Sequence, residues 1–358
     1  RNASRLAGDP FRRGDFIGMK TFYRSVVGHR KPILIVFLLL FILCVPCRQL
    51  VSVNYDINDY LPADSPSTLA LDLMEQEYDG GIPNARVMIR NVSIAEALAY
   101  KADLQAVEGV SDVTWLDDTA SPSVPLEALD PAITEPYYRD GNALYTVTIQ
   151  EDARLSAVED IRAIIGEGNA VTGSAVSTAD ATAGTITEVA ITAAIAVAFT
   201  FVVLLLTTYS FAEPVLVLAG IGVAVVINGG TNLIFGEISF VTNAAGSILQ
   251  LAVSLDYSVF LLHRFEDCRK INPDPEEAMV EALSLSTSSI LSSGLTTVIG
   301  FLALCFMRFR IGPDLGLALA KGVAISLVTV FLLMPALILS TYKLIDKTRH
   351  RPFVPSFR

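Results

Sequence analysis

The sequence is poor in the residues that build redox, metal or nucleotide chemistry. Its four cysteines are Cys44, Cys47, Cys268 and Cys305, and none lies between residues 52 and 188. No disulfide framework is therefore indicated. The three histidines, His29, His263 and His350, are too scattered to form a metal site. There is no glycine-rich loop of the G-x-x-x-x-G-K-S/T type, which argues against ATP as an energy source, and no cofactor is expected. Charge is scarce as well: 18% of residues are charged, with 26 Lys and Arg against 37 Asp and Glu, a formal −11. That balance argues against nucleic acid and an anionic lipid surface as partners of the region that carries the acids.

What the sequence has instead is long apolar runs. Hydrophobic residues make up 52% of the chain, with a mean hydropathy of +0.51. A helix needs about 20 apolar residues to cross a hydrocarbon layer ~30 Å thick. The runs that approach or meet this length are Ile33 to Val51, Val189 to Thr207, Val215 to Phe235, Ile238 to Leu262, Leu285 to Met307 and Leu315 to Thr341. The first is the weakest, because Pro46, Arg48 and Gln49 interrupt its end. The expected layout is an N-terminal segment (1–31), a first span (32–51), a polar insert (52–187), spans two to six (188–342) and a basic tail (343–358).

Basic residues orient this layout. Arg24, His29, Arg30 and Lys31 precede the first span, Arg264, Arg269 and Lys270 follow the fourth, and Lys343, Lys347, Arg349 and Arg351 follow the sixth. With six spans all of these fall on one side, which the positive-inside rule makes cytoplasmic. Arg308 and Arg310 break the pattern. The insert is then extracytoplasmic, and acids such as Asp56, Asp59, Asp64, Glu75, Glu77, Asp79, Asp117 and Asp118 account for the net charge by keeping it solvated. The first apolar run ends in no small-residue cleavage site and reads as a retained anchor. The chain opens on arginine rather than a native initiator, and the origin of residues 1–18 stays open.

Inside the insert the pattern alternates between periods of two and 3.6 residues. Ala85 to Arg90, Val110 to Trp115, Ala143 to Gln150 and Ala170 to Thr172 read as strands, and Ile94 to Val107 and Leu155 to Ile165 as helices. A proline-rich connection, Ser121 to Pro136, separates two β-α-β units. The expected domain is a small α+β, ferredoxin-like layer of sheet and helices. Other motif matches carry no chemistry. Gly220-Ile221-Gly222 lies within a span with no strand before it, where small residues allow close helix approach. Asn91-Val92-Ser93 is a glycosylation sequon by pattern only, and Asp274 before Pro275 reads as a helix cap.

The fourth span holds the informative geometry. A carboxylate at bilayer depth costs at least ~2.5 kcal/mol, so Asp256 points to a proton, ion or substrate pathway. At about 100° per residue, Asn243, Gly246, Ser247, Gln250, Ser254, Tyr257 and Ser258 share a polar stripe, whereas Asp256 points with Leu249, Ala252, Phe260 and His263 toward a different neighbour. Polar groups on two faces suggest a helix interior to a bundle. In the fifth span Ser286, Ser289, Ser293, Thr296 and Gly300 form a second stripe, which suits close packing between helices, the favoured reading, or a hydrated path. Lys321, in the sixth span, either pairs with Asp256 or snorkels to the interface. Asn228 and Asn232, one turn apart, suit hydrogen bonds across helices.

These residues resemble a family. The run LDYSVFLLHRFEDCRK (255–270), Asp274-Pro275-Glu276-Glu277-Ala278, Gly300-Phe301-Leu302-Ala303-Leu304, Gly316-Leu317-Ala318-Leu319 and Tyr60-Leu61-Pro62-Ala63-Asp64-Ser65-Pro66 are similar to segments of the MMPL branch of the resistance-nodulation-division transporters. The resemblance implies a multi-pass protein of the bacterial cell membrane, a transporter rather than an enzyme, driven by protons and exporting lipids or other hydrophobic cargo. It implies ferredoxin-like porter units outside the cytoplasm, and a proton relay formed by Asp256 and Tyr257, with Lys321 and His263 as possible partners. Asp256 would take a proton from outside and release it inward, with helix movement passed to the outer domain. Family members usually contain two six-span repeats whose relays meet at the bundle centre. This chain has one, which implies a fragment of a longer protein, or else two copies about a two-fold axis. The alternatives are a sterol-sensing-like receptor module, which needs no proton flux, and an accessory subunit similar to SecD and SecF.

Overall fold

A computed structural model describes residues 10–55, 58–77, 81–121, 124 and 129–350. Asp56, Asp79, Arg351, the first nine residues, the end of the basic tail and parts of the proline-rich connection (122–123 and 125–128) lie outside the described residues. In chain order the elements are α1 (Pro10–Gly28), α2 (Arg30–Gln49), β1 (Ser52–Asn54), α3 (Pro66–Glu77), β2 (Ala85–Ile89), α4 (Ile94–Gln105), β3 (Val110–Thr114), α5 (Leu116–Thr119) and α6 (Pro131–Thr134). There follow β4 (Tyr138–Arg139), β5 (Asn142–Ile149), α7 (Arg154–Ile165), β6 (Ala170–Thr172), α8 (Ser174–Thr207), α9 (Ala212–Thr231), β7 (Glu237–Ser239), α10 (Phe240–Ile271), α11 (Pro275–Leu302), α12 (Ile311–Val328) and α13 (Met334–Lys347). A π-helical turn, Thr329–Leu333, joins α12 to α13. Contacts divide the chain into a unit of residues 55–190 and a unit formed by the residues before and after it.

In residues 55–190 the order strand, helix, strand is repeated, as the alternating periods predict. The sheet order is β3-β5-β2-β6, with β4 on β5, and every pairing is antiparallel. One sheet face carries Ala85, Val87, Ile89, Tyr145 and Val147, all buried against Ala97 and Leu104 of α4 and Val158 and Ile161 of α7. Two local devices start the helices. Ser93 and Glu96 form a capping box on α4, each side chain meeting the other's backbone N–H, which satisfies two donors the helix leaves open. Asp130 caps α6 ahead of Pro131, an element that the reading of 121–136 as a bare connection missed. Lys101 is buried, and its ammonium donates to Asp117 and Asp118 at 2.8 and 2.7 Å. Burial works against that charge, but the two carboxylates together hold the Lys101 pKa above its ordinary value.

Among the described residues, six helices are long and apolar enough to cross a membrane: Arg30–Gln49, Ser174–Thr207, Ala212–Phe235, Phe240–Ile271, Pro275–Phe306 and Ile311–Lys347; all lie in the other unit except the second, which belongs to it only from Ile191 onward. The first span is not broken at its end, because α2 continues through Pro46 to Gln49. Gly230 of α9 lets the Cys44 backbone come against it: a Cβ there would lie 2.8 Å from the Cys44 Cα. Large apolar side chains stay exposed along the spans, for example Leu38, Leu39 and Leu43 on α2, Phe199 and Val202 on α8, and Leu295 and Ile299 on α11. Such a surface is stable against lipid and unstable against water. The buried core instead gathers Leu261, Leu262 and Phe265 of α10, Met279, Ala282 and Leu283 of α11, and Val323, Val330 and Met334 around the π turn. β1 and β7 pair in parallel, Ser52 to Glu237 through Asn54 to Ser239, joining the ends of α2 and α9.

Candidate functional site

The site is organised by α10. Ser239 caps its start by accepting the Thr242 N–H at 3.0 Å, and Asp314 accepts the Ser239 N–H at 2.9 Å. This fixes the rotation of the helix relative to α12. The polar stripe then faces inward: Gly246, Gln250, Ser254, Tyr257 and Ser258 are all buried. Gln250 accepts from the Asn228 side chain of α9 at 3.0 Å, and its own amide donates to the Gly322 carbonyl at 3.1 Å and to Ser326 Oγ at 3.3 Å. Ser254 donates to Ser326 Oγ at 2.6 Å, and Ser326 donates to the Gly322 carbonyl. Three spans are thus joined by one buried hydrogen-bond network. Of its polar atoms, Asn228 Oδ1 is buried with no partner.

Asp256 lies off this network. It is exposed on the flank of the unit together with Leu249, Ala252 and Phe260, while Tyr257, one residue on, is 6% exposed. The helix is interior on one face only, so the expectation of partners on both faces fails within this chain. The fifth-span stripe is corrected in the same way. Ser286 is buried, but Ser289, Ser293, Thr296 and Gly300 are exposed, so no packing inside the unit uses them. The spacing defines a face, but periodicity does not say which neighbour that face meets.

Neither possible relay partner is brought to Asp256. Lys321 does not pair with it. Its ammonium donates to the Asn228 carbonyl at 3.1 Å, Thr231 Oγ1 at 3.0 Å and Asn232 Oδ1 at 2.6 Å. A cation there satisfies carbonyls at the C-terminus of α9, where the helix dipole favours positive charge. Asn228 and Asn232 do bond across helices, one to Gln250 and the other to Lys321. His263 shares the helix face of Asp256, but its Nε2 lies 3.1 Å from the Thr207 carbonyl at the end of α8, with the ring edge-on to Tyr209. Ser326 was missed by the sequence reading, although a lone hydroxyl one turn from Gly322 in an apolar run was the available signal.

The family described as MMPL matches residues 59–351. A putative membrane protein of Streptomyces coelicolor is 27% identical over 291 residues, covering 76% of this chain and 39% of that protein. A putative membrane protein of Methanocaldococcus jannaschii is 31% identical over 117 residues, 32% of this chain and 30% of the relative. The siderophore exporter MmpL5 of Mycobacterium tuberculosis is 32% identical over 112 residues, 31% of this chain and 12% of the relative. The chain therefore spans well under half the length of these relatives. Among solved structures, a Thermus SecDF, a translocon-associated membrane protein, aligns over 88% of this chain and 38% of its own, with a TM-score of 0.49 and 14% identity.

Proposed function

The chain belongs to the MMPL family, membrane transporters of the resistance-nodulation-division type, and from that premise we propose that it is one half of a proton-driven exporter of lipids or other hydrophobic molecules in the cell membrane. The observation that carries this reading is Asp256, a carboxylate in the middle of an apolar span and exposed on the flank of its own unit. A lone charge against lipid is costly, so that flank is where a second repeat or a second copy would meet the chain and cover Asp256. Tyr257, closed inside its own unit, holds α10 to the core. Proton binding at Asp256 would then act through α10 on the Gln250 and Ser254 contacts to α9 and α12. Each inward charge yields ~2.3 kcal/mol per 100 mV.

Residues 55–190 are read as a ferredoxin-like porter unit outside the cytoplasm, supported by the doubled strand-helix-strand order and the strand order β3-β5-β2-β6. Both termini are then cytoplasmic. The test is Asp256→Asn in the complete transporter, reconstituted in vesicles with an imposed pH gradient. Export and proton uptake are expected to fall together to background while the protein assembles normally. Proton-coupled export at the unaltered rate would overturn the reading.

A further inference from the structure

Where α8 turns into α9 and α13 ends, Tyr209, Ser210, Glu213, Glu266, Asp346 and Arg349 enclose a space too small to hold a water molecule. Glu213, in the first turn of α9, is 1% exposed. Its Oε2 accepts the Tyr209 backbone N–H at 2.9 Å, while Oε1 is buried with no hydrogen-bond partner. Glu266 of α10 faces Arg349 at 2.9 Å and Arg269 at 3.8 Å, and Asp346 of α13 faces Arg269 at 2.8 Å. These two carboxylates and two guanidiniums cancel.

An ionised Glu213 would therefore add an unbalanced negative charge beside Glu266, in a space that admits neither water nor a hydrated cation. Burying such a charge costs far more than burying the neutral acid. The other titratable groups beside the site are Tyr209, His263, Asp267, Lys270 and His350. His263 lies against the Tyr209 ring and bonds the Thr207 carbonyl. Lys270 sits over the Tyr209 ring and pairs with Asp267 at 2.7 Å. The His350 ring packs on Phe211, centroids 4.5 Å apart.

The backbone around Glu213 forms a clasp. Phe211 N–H donates to the Thr348 carbonyl at 3.2 Å, His350 N–H donates to the Tyr209 carbonyl at 2.9 Å, and Ser210 Oγ meets Thr348 Oγ1 at 2.6 Å. Residues 348–350 thereby hold the turn 209–211, with Arg349 anchored on Glu266.

We propose that the Glu213 carboxyl is a second proton-binding site, separate from Asp256, and that loss of its proton opens the clasp between residues 209–211 and 348–350. An ionised Glu213 repels Glu266 and calls for water that the closed space does not admit, so the segments around it must part to hydrate it. Glu266 and Asp256 share α10, about 15 Å apart along the helix, so one rigid element joins the two sites. The inference does not rest on Asp256 being a relay, because its test reads Glu213 directly.

The experiment is infrared spectroscopy of the full chain in lipid vesicles across a pH series, with amide exchange at Phe211 and His350 corrected for intrinsic rates. The wild type is expected to show a protonated-carboxyl stretch that disappears as pH rises, while exchange at both amides increases. Glu213→Gln is expected to lose that stretch and to keep slow exchange at every pH, and Asp256→Asn to retain both wild-type responses for this band. A band that persists in Glu213→Gln, or amides that still follow pH there, would overturn the proposal. Should Glu213→Gln fail to assemble, Glu266→Gln gives a second reading. With Arg349 released to pair with Glu213, the stretch is expected to vanish at lower pH, and an unmoved titration would equally overturn the site.

Discussion

Lys321 shows how a charged side chain in a span is tolerated without a counter-ion. Its three donors meet three oxygens at the end of α9, so the helix terminus supplies the negative partial charge that a carboxylate would otherwise provide. Lys321→Met is expected to lower stability by about 1–3 kcal/mol, since it leaves the Asn232 side chain and the Asn228 carbonyl without that donor. Thermal melting of the solubilised protein measures this. A melting temperature equal to the wild type would show that water or lipid replaces the ammonium at no cost. Asp256 is the contrasting residue: among the described residues it meets no such oxygen or nitrogen partner, and it lies on the exposed flank.

Among the elements, the crossing of α2 and α9 rests on one glycine. A Cβ at Gly230 would lie 2.6 Å from the Cys44 carbonyl oxygen, and helix backbone cannot shift as a flexible side chain can. Gly230→Val is expected to cost about 1–3 kcal/mol or more through overpacking. Gly222→Val serves as control, because a Cβ at Gly222 meets nothing within 4 Å. Equal yield and melting temperature for the two variants would argue against close packing at this crossing. The same element scale explains the hydroxyls of α11. Its buried residues, such as Ala282, Ser286, Ile290 and Gly294, follow one helical face, and the remaining hydroxyls are left outside.

Across the whole molecule, the unit of residues 55–190 has an acid response that can be read by itself. In residues 55–190, burial raises the Asp118 pKa, but the Lys101 ammonium and the Trp115 N–H outweigh it and hold the carboxyl below its usual value. The stability this provides is complete above the unfolded carboxylate pKa of ~3.9 and is lost as pH falls through the lower folded value. Trp115 is the one tryptophan of the chain and is 1% exposed, with its indole N–H donating to the Tyr137 carbonyl. Its emission therefore reports this unit. Acidification below about pH 4 is expected to shift the emission to the red. Asp118→Asn should be less stable at neutral pH and show a shallower acid dependence, and superimposable acid curves would contradict the assignment.

The six apolar spans, the doubled strand-helix-strand order of the insert, and the separation of Asp256 from the Gln250, Ser254 and Tyr257 face are legible from the residues alone. Each follows from local periodicity: a run length matched to bilayer thickness, alternation matched to a sheet, and about 100° per residue on a helix. What each face meets came from the packing of the helices. It gave the Lys321 ammonium to the end of α9, closed the polar stripe on Ser326, left the α11 hydroxyls and Asp256 at the surface, and gathered Glu213, Glu266 and Arg349 from three distant segments. Helical pattern fixes the direction of a side chain relative to its own axis. The rotation and crossing of neighbouring helices fix its partner, and these depend on close approaches such as Gly230 on Cys44 that no single segment encodes.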